Sequence, residues 1–309
     1  MKRILAMMLC FVMCATVFTG CKIDAKQNIK KAVDKMSKAS SLQIDGSVTG
    51  TMEFDVGDTK QTFDLSTKTQ EVCFADPYKA KVNAVVKSPT EKKIDAYIEK
   101  EGDNYVVYQG YQGAWLRQTV ADPNTLLQTS TSQIGVLDNI FQGNDVQMEK
   151  LDNQKEGNVL YQVYRLSVDL EKAQNMVEGM TSSYTSSFGT ISDEDMKEII
   201  QEVIGETQSF QWTLWYDNAK KEIYKIQFSM GEIMQKVMTK YLDKIARQAE
   251  KKAGENAMTL QDVLKDITIS VDKMDVELIF TNYDSAPDFT IPEEVKKVTA
   301  VESGSAETK

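Results

Sequence analysis

Carboxylates are the most abundant reactive groups in this chain: 46 Asp and Glu stand against 36 Lys and Arg in 309 residues, and there is no histidine. Without imidazole the chain lacks the usual general base, the usual activator of a serine or cysteine nucleophile, and the commonest zinc ligand. Hydrolases of the familiar Ser-His or Cys-His kind are therefore not expected. Paired carboxylates can cleave glycosides, but among 46 acids no pair is singled out, and a solvated surface is the simpler account. Cys73 lies in EVCFADP between Val72 and Phe74, the setting of a buried inert thiol. SDEDMKE (192–198) and EGDN (101–104) offer oxygen ligands, yet neither has the spacing of a calcium-binding loop. The first reads as a helix start, with Ser192 and Asp195 in a capping arrangement and acids complementing the helix dipole; the second reads as a turn. No metal, no cofactor and no enzymatic activity are expected.

The cysteine with the clearest chemistry is Cys21, in CATVFTGCKIDAKQ (14–27). Lys2 and Arg3 form a basic start, residues 4–18 are uncharged and apolar, and Thr19-Gly20 are small: the three zones of a secretory signal peptide. Phe18-Thr-Gly-Cys21 resembles the lipobox of bacterial lipoproteins, which implies lipidation of the Cys21 thiol and cleavage just before it. The uncharged run from Ile4 to Cys21 is 18 residues long, at the lower limit for a membrane-crossing helix, so a retained signal anchor is the alternative. Cleavage would remove Cys10 and Cys14 and leave 289 residues with Cys73 as the one remaining thiol, so stability must come from a hydrophobic core. It would also leave 34 basic against 46 acidic residues, a formal charge of −12. Nucleic acid is an unfavourable partner for such a surface. Attachment to a membrane would have to come from acyl chains on Cys21, which at ~0.8 kcal/mol per buried CH₂ outweigh moderate charge repulsion.

The elements that must position any site follow from hydrophobic periodicity. Ile29, Ala32, Val33, Met36 and Ala39 are spaced as one face of an amphipathic helix. At SLQIDGSVTGTMEFDV the period changes to two, with Leu42, Ile44, Val48, Met52, Phe54 and Val56 in phase and Gly46 and Gly50 as bend points. Alternating segments then continue to AWLRQTV, too closely spaced for helical crossovers, as in an antiparallel meander. A helical block is predicted over 122–141, strands at 146–151 and in VLYQVYRLSVDL, and helices at 169–181 and 192–204. SFQWTLWYDNAKKEIYKIQFSM reads as a hairpin, followed by helices at 231–253 and 259–265 and strand at 266–282; PDFTIPEEVKKV closes the chain. The order gives an α+β fold with one large antiparallel sheet and helices on one side. No internal Pro/Gly/Ser linker divides it. The expected organisation is a signal peptide at 1–20, a single domain at 21–298 with a short N-terminal tether, and a loose tail at 299–309.

In that order, the motif at Cys21, the helix running into SSLQIDGSVTGTMEF, YVVYQGYQGAWLRQ with Trp115, WTLWYDNAKKEIYKIQFSM and the closing FTIPEEV resemble the LolA/LppX-type bacterial lipoproteins, near the uncharacterised Gram-positive members. The resemblance implies a curved, incompletely closed sheet (an incomplete barrel) with helices on its concave face and room for acyl chains between them. It also implies a non-enzymatic protein anchored on the extracytoplasmic face of a cell membrane.

Two functions from different classes follow. One is a membrane-tethered protein that holds a lipid or other apolar molecule between sheet and helices; the other is an envelope scaffold with a filled core and a protein partner that the sequence does not identify. The candidate lining residues are the even positions of the hairpin, Trp212, Leu214, Tyr216, Tyr224, Ile226 and Phe228, joined by Met234 and Met238 on the next helix. Eleven of the 15 methionines follow residue 20, and flexible thioethers suit an adaptable apolar cavity, although each can equally be core filler.

Overall fold

The structure is a computed structural model and describes residues 25–56, 59–87, 90–121, 137, 141, 146–169, 191–207, 209–253 and 267–299. The expected lipidation site at Cys21, the signal peptide, the expected helices at 169–181 (beyond Asp169, which is strand) and 259–265, most of 122–141, and the tail beyond residue 299 lie outside them. Among the described residues no helix is long and apolar enough to cross a membrane.

The chain opens with α1 (25–37), whose Ile29, Ala32, Val33 and Met36 are at most 2% exposed, the face read from the sequence. Six strands follow as a meander: β1 (Ser41–Val56), β2 (Thr59–Ala75), β3 (Tyr78–Lys87), β4 (Glu91–Glu101), β5 (Asn104–Tyr111) and β6 (Ala114–Val120). Next come β7 (Gln147–Lys150), β8 (Gln154–Glu156), β9 (Val159–Asp169), α2 (Asp193–Glu206), β10 (Ser209–Asp217), β11 (Glu222–Ser229) and α3 (Gly231–Ala253). β12 (Ile267–Thr281) and the single-turn α4 (Glu293–Lys296) complete the chain. All twelve strands form one antiparallel sheet, ordered β6-β5-β4-β3-β2-β1-β12-β11-β10-β9-β7, with β8 also on β9. The sheet is curved and does not close into a barrel. The first and last strands therefore meet in its middle, where β1 pairs with β12 from Gln43↔Thr281 to Val56↔Ile267.

That central ladder contains an irregularity between Thr51 and Met52, where Met52 pairs with Val271 and Asp272 is the extra residue of β12. A bulge exchanges the faces of a strand. On β12 it lets the even residues Met274, Val276, Leu278 and Phe280 and the odd residues Ile269 and Val271 all enter the core. Gly50 precedes the bulge, and a Cβ there would meet the Lys273 carbonyl at 2.9 Å, so the close approach of β1 and β12 requires glycine. Beyond the bulge β12 has no pairing with β11, which ends at Ser229. The Gln235 amide on α3 takes that place: Nε2 donates to the Ile269 carbonyl at 2.8 Å and Oε1 accepts from the Val271 N–H at 2.6 Å.

α2 and α3 pack on each other through Met196, Ile199, Ile200, Val203 and Ile204 on one side and Val237, Met238 and Tyr241 on the other, all part of one core. Ser192 caps α2, its Oγ accepting from the Asp195 N–H at 3.1 Å. Lys240 pairs with Glu202 and Glu206 at 2.9 and 2.8 Å, and Lys244 with Asp195 and Glu198 at 2.9 and 2.5 Å. The closing FTIPEEV segment docks on the opposite side of the sheet, where Phe289, Ile291 and Val295 cover Tyr97, Val106, Tyr108 and Trp115.

Candidate functional site

Cross-strand pairing gives the composition of the inner face row by row, since directly paired residues share a side. One row runs Trp212, Phe228, Val276, Val48, Thr67, Val86 from β10 to β3. The next runs Leu214, Ile226, Leu278, Gly46, Thr69, Ala84, Ile94, Tyr111 as far as β5. A third contains Phe280, Ile44, Glu71, Val82, Ala96, Gln109 and Leu116. The first two rows carry their largest side chains over β10–β12 and smaller ones over β1–β3, whereas the third keeps Ile44 and the buried Glu71 on β1 and β2.

The large half is filled. Trp212, Leu214, Tyr216, Ile226 and Phe228 are 0–8% exposed, and Met234 and Met238 on α3, each 2% exposed, belong to the same core. Seven of the eight candidate lining residues are thus brought together. Tyr224 is the exception and corrects the expected phase. The ladder shifts between Trp215↔Lys225 and Tyr216↔Ile223, so Tyr224 is the extra residue of a bulge. Ile223, fully buried, takes its inward position. Tyr224 instead stacks on Tyr161 on the outer side, ring centroids 4.4 Å apart, beside Val163 and Trp215. Burial, followed by the Glu156 carboxylate, pushes its phenol up to about 12. The same outer cluster holds Lys225, whose Nζ pairs with Glu156 and lies 4.3 Å from the Trp215 ring centre.

The small half is partly open. Phe63, Val82, Ala84, Val86 and Ile94 are only half-buried, and Leu116 and Tyr111 are 36% and 41% exposed. Gly46, Thr69, Ala84 and Ala96 keep the surface low between them. A Cβ on Gly46 would meet Thr69 Oγ1 at 2.4 Å, so glycine lets that hydroxyl lie across the strand. The result is a low, half-buried stretch of the inner face, a trough of Val82, Ala84, Val86 and Ile94 with Thr67 and Thr69, beside the filled half of the sheet.

Two polar atoms of the core have no hydrogen-bond partner among the described residues: Trp212 Nε1 and Tyr216 Oη. Their side chains are 2% and 1% exposed. The Tyr216 phenol is pushed above its usual value by burial and then by Asp217, so it remains a protonated donor. Sequence periodicity placed both rings on the inner face, but nothing in a pattern of apolar positions shows whether an indole N–H finds an acceptor.

Other chemistry is quiescent. Cys73 is buried, and burial, then Glu71, pushes its thiol up to about 12, while its Sγ donates weakly to the Leu42 carbonyl at 3.5 Å. Among the described residues no group of acids and thiols is placed to hold a metal ion. A cleft of about 460 Å³ lies at the outer ends of β4–β6 between Glu91, Lys93, Asp95, Gly110 and Trp115. Its charges are of both signs and its one ring rests on Gly110, 3.0 Å from where a Cβ would stand.

No family model matches the chain, and no curated protein matches it. Among solved structures, a DUF1329 family protein from Desulfovibrio piger is 10% identical, with 84% of this chain and 92% of that chain covered at a TM-score of 0.18. An outer membrane lipoprotein-sorting protein domain from Vibrio parahaemolyticus is also 10% identical, with 77% and 83% covered at a TM-score of 0.18. At these scores neither carries a functional argument.

Proposed function

We propose that this chain is a non-enzymatic cell-envelope lipoprotein, tethered to the outer side of a bacterial cell membrane through lipidated Cys21, that holds a lipid or another apolar molecule on the inner face of its sheet. The observation that carries the binding reading is the trough. A sheet face of Val82, Ala84, Val86 and Ile94 that is only half-buried, beside a core whose residues are nearly all below 9% exposed, is apolar surface a ligand would remove from water. The motif at residues 18–21 supports the tether. On this reading the seven inward candidates form the fixed wall behind the ligand, and Tyr224 is not a ligand contact.

The second reading, a scaffold with a filled core, is favoured by one specific observation: Leu214 and Ile226 are 0% and 1% exposed within the same core as the α3 side chains. Organic extraction of the purified full-length chain, with mass spectrometry of the extract, separates the two. The carrier releases a lipid species in near-stoichiometric amount and, once stripped, takes up a fluorescent acyl probe saturably. A chain that yields no lipid and takes up no probe is the scaffold. Intact mass of wild type and Cys21→Ser tests the tether: an acylated product beginning at Cys21 is expected only for wild type, whereas a wild-type chain that keeps residues 1–20 and lacks acyl mass is a signal-anchored protein.

A further inference from the structure

The cleft at the outer ends of β4–β6 is built by an offset between strands. β4 pairs with β3 from its first residue, Glu91↔Lys87, but with β5 only from Ile94↔Tyr111, so its start runs past the β5–β6 turn. Gln112 and Gly113 make that turn with φ of 51° and 83°, the tight two-residue form of a hairpin. One wall of the cleft is therefore the start of β4, the other is the turn with Trp115, and Gly110 lies between them. The cross-strand row Trp115, Gly110, Asp95, Asn83 puts Trp115 and Asp95 on the outer face, separated by a residue that has no side chain. A Cβ at Gly110 would stand 3.0 Å from three atoms of the six-membered ring, so the indole lies against the glycine backbone. Tyr97 stacks beside it, ring centroids 5.6 Å apart, and is itself backed by Phe289, which holds the indole in place.

We infer that this cleft binds a neutral sugar, a short stretch of pyranose glycan, with Trp115 as its platform and Asp95, Glu91, Lys93 and Gln112 as partners of its hydroxyls. The inference is independent of the carrier reading, because cleft and trough lie on opposite faces of the sheet. The ligand class follows from what the walls offer. The carboxylates of Glu91 and Asp95 are balanced by the ammonium groups of Lys92 and Lys93, so the cleft has no net charge with which to hold an ion. A carboxylate only accepts and an ammonium only donates; a ligand group that serves both has to do both, which is the property of a hydroxyl. Glu91 and Lys93 share one face of β4, yet neither forms an ion pair among the described residues. Asp95 accepts from Asn83 through Oδ1 at 2.6 Å and has Oδ2 for a second donor, while Gln112 donates to Tyr111 Oη at 3.2 Å and keeps Oε1 as an acceptor. The indole adds one aromatic surface, whose electron-rich face suits weakly positive C–H groups. A pyranose unites the two, with C–H groups on the face of its ring and hydroxyls around the rim. Access is open, since Glu91, Lys93, Asp95 and Gln112 are exposed and Trp115 is half-buried. The volume of about 460 Å³ lies within the ~300–1,000 Å³ of small-ligand pockets, so a few sugar rings fit and a folded partner does not.

The test exploits the distribution of the three tryptophans. Trp212 and Trp215 are 2% and 3% exposed, so a change in indole fluorescence on adding a sugar reports Trp115. The full-length chain, in a detergent without a sugar headgroup, is titrated with two neutral β-1,4-linked hexasaccharides, one of glucose and one of N-acetylglucosamine, and with inorganic phosphate and a hexalysine peptide as charged controls. At least one hexasaccharide is expected to bind saturably with a fluorescence change, and the controls are not. Asp95→Ala is expected to weaken that binding about tenfold, the effect of one hydrogen bond to a charged group, at an unchanged melting temperature because the residue is exposed. Trp115→Ala should abolish binding; since the ring also covers Gly110, Gln112→Ala at the exposed turn is the companion variant if Trp115→Ala fails to fold, and a several-fold loss is expected of it. Co-sedimentation with insoluble cellulose and chitin separates the two sources of such a ligand: retention there assigns the cleft to a polymer, and binding of the soluble hexasaccharide alone assigns it to a free oligosaccharide. No saturable binding of either hexasaccharide by wild type, binding that Asp95→Ala and Gln112→Ala leave unaltered, or tighter binding of hexalysine or phosphate than of sugar overturns the sugar site.

Discussion

Leu214 and Cys73 show how far single positions can be argued. Leu214 is fully buried between strands and helix, so truncation leaves a void that α3 and the flanking strands fill only in part. Leu214→Ala is expected to lower stability in urea unfolding by ~2–5 kcal/mol, whichever function holds, since the wall behind a ligand and a filled core both require this side chain. Cys73 has a folded-state thiol pushed up to about 12, chiefly by burial, so almost no thiolate exists at pH 8. Peptide mapping after iodoacetamide at pH 8 should find Cys73 unmodified in the native chain and modified once urea has unfolded it. Rapid native labelling would show that this strand end opens. Both positions were legible in the sequence, Leu214 from alternation and Cys73 from its apolar neighbours. Tyr224 was misplaced because a bulge resets parity: the residues on either side of it are ordinary strand formers, and only the pairing with β10 shows that one of them is extra.

At the scale of elements the sequence was most informative where one face of one segment decides the outcome. α1, α3 and the meander could be drawn from period alone, because burying one stripe is a local property. The order of strands was not available in the same way, since β1 could have paired with any apolar strand of similar length. The trough was hidden for that reason: Gly46, Thr69 and Ala84 come from three strands, and their adjacency exists only once the register is known. Gln235 was invisible too, a polar residue on an amphipathic helix that supplies the missing hydrogen bonds of a strand. Gln235→Leu leaves the Val271 N–H and the Ile269 carbonyl without those partners, and is expected to destabilise by ~2–3 kcal/mol, with faster amide exchange at Val271 than elsewhere in β12. The α2–α3 contact adds a pH dependence. Asp195 is held below the usual carboxylate range, first by its hydrogen bond from Lys244, and Glu202 likewise by Lys240. Lowered folded-state values mean stability that is present above the ordinary carboxylate pKa and lost as pH falls through the folded value. Lys240 and Lys244 are raised, by Glu206 and Glu198 first, so their contribution holds below the ordinary lysine pKa and is lost as pH rises through the folded value. These groups remain in contact with solvent, Glu202 exposed and Asp195, Lys240 and Lys244 about a quarter so, and the effect is small. The melting temperature should be flat near neutrality and fall on the acid side below about pH 4, and Lys244→Met should shallow that acid limb.

The whole molecule is closed by its central ladder. β1 and β12 are separated by about two hundred residues of sequence yet form the middle of the sheet, which makes the fold rich in non-local contacts and slow to assemble. A chain truncated after residue 266 retains most of its strands but loses the one that joins the β1–β6 half to the β7–β11 half. It is expected to bind 1-anilinonaphthalene-8-sulfonate and to unfold without a single cooperative transition, whereas the full chain should give one transition in circular dichroism. Truncation that leaves a cooperative, dye-silent protein would show that the halves are independent domains and that the single-domain reading is wrong.

The position of β1 also decides how the protein bears force. A pull on the amino-terminal end of the chain enters through α1 and reaches Ser41, where the Ser40 N–H and hydroxyl hold Asp284 Oδ1 at 2.7 and 2.9 Å. From there the load runs along an inner strand of 16 residues, bonded to β2 on one side and β12 on the other. An edge strand can be unzipped one rung at a time; this one has to shear two ladders together. Pulled from the end at which a membrane tether would attach, the domain should resist unfolding far better than when pulled from its edge at β6, as optical-tweezer traces with handles at the two places would reveal.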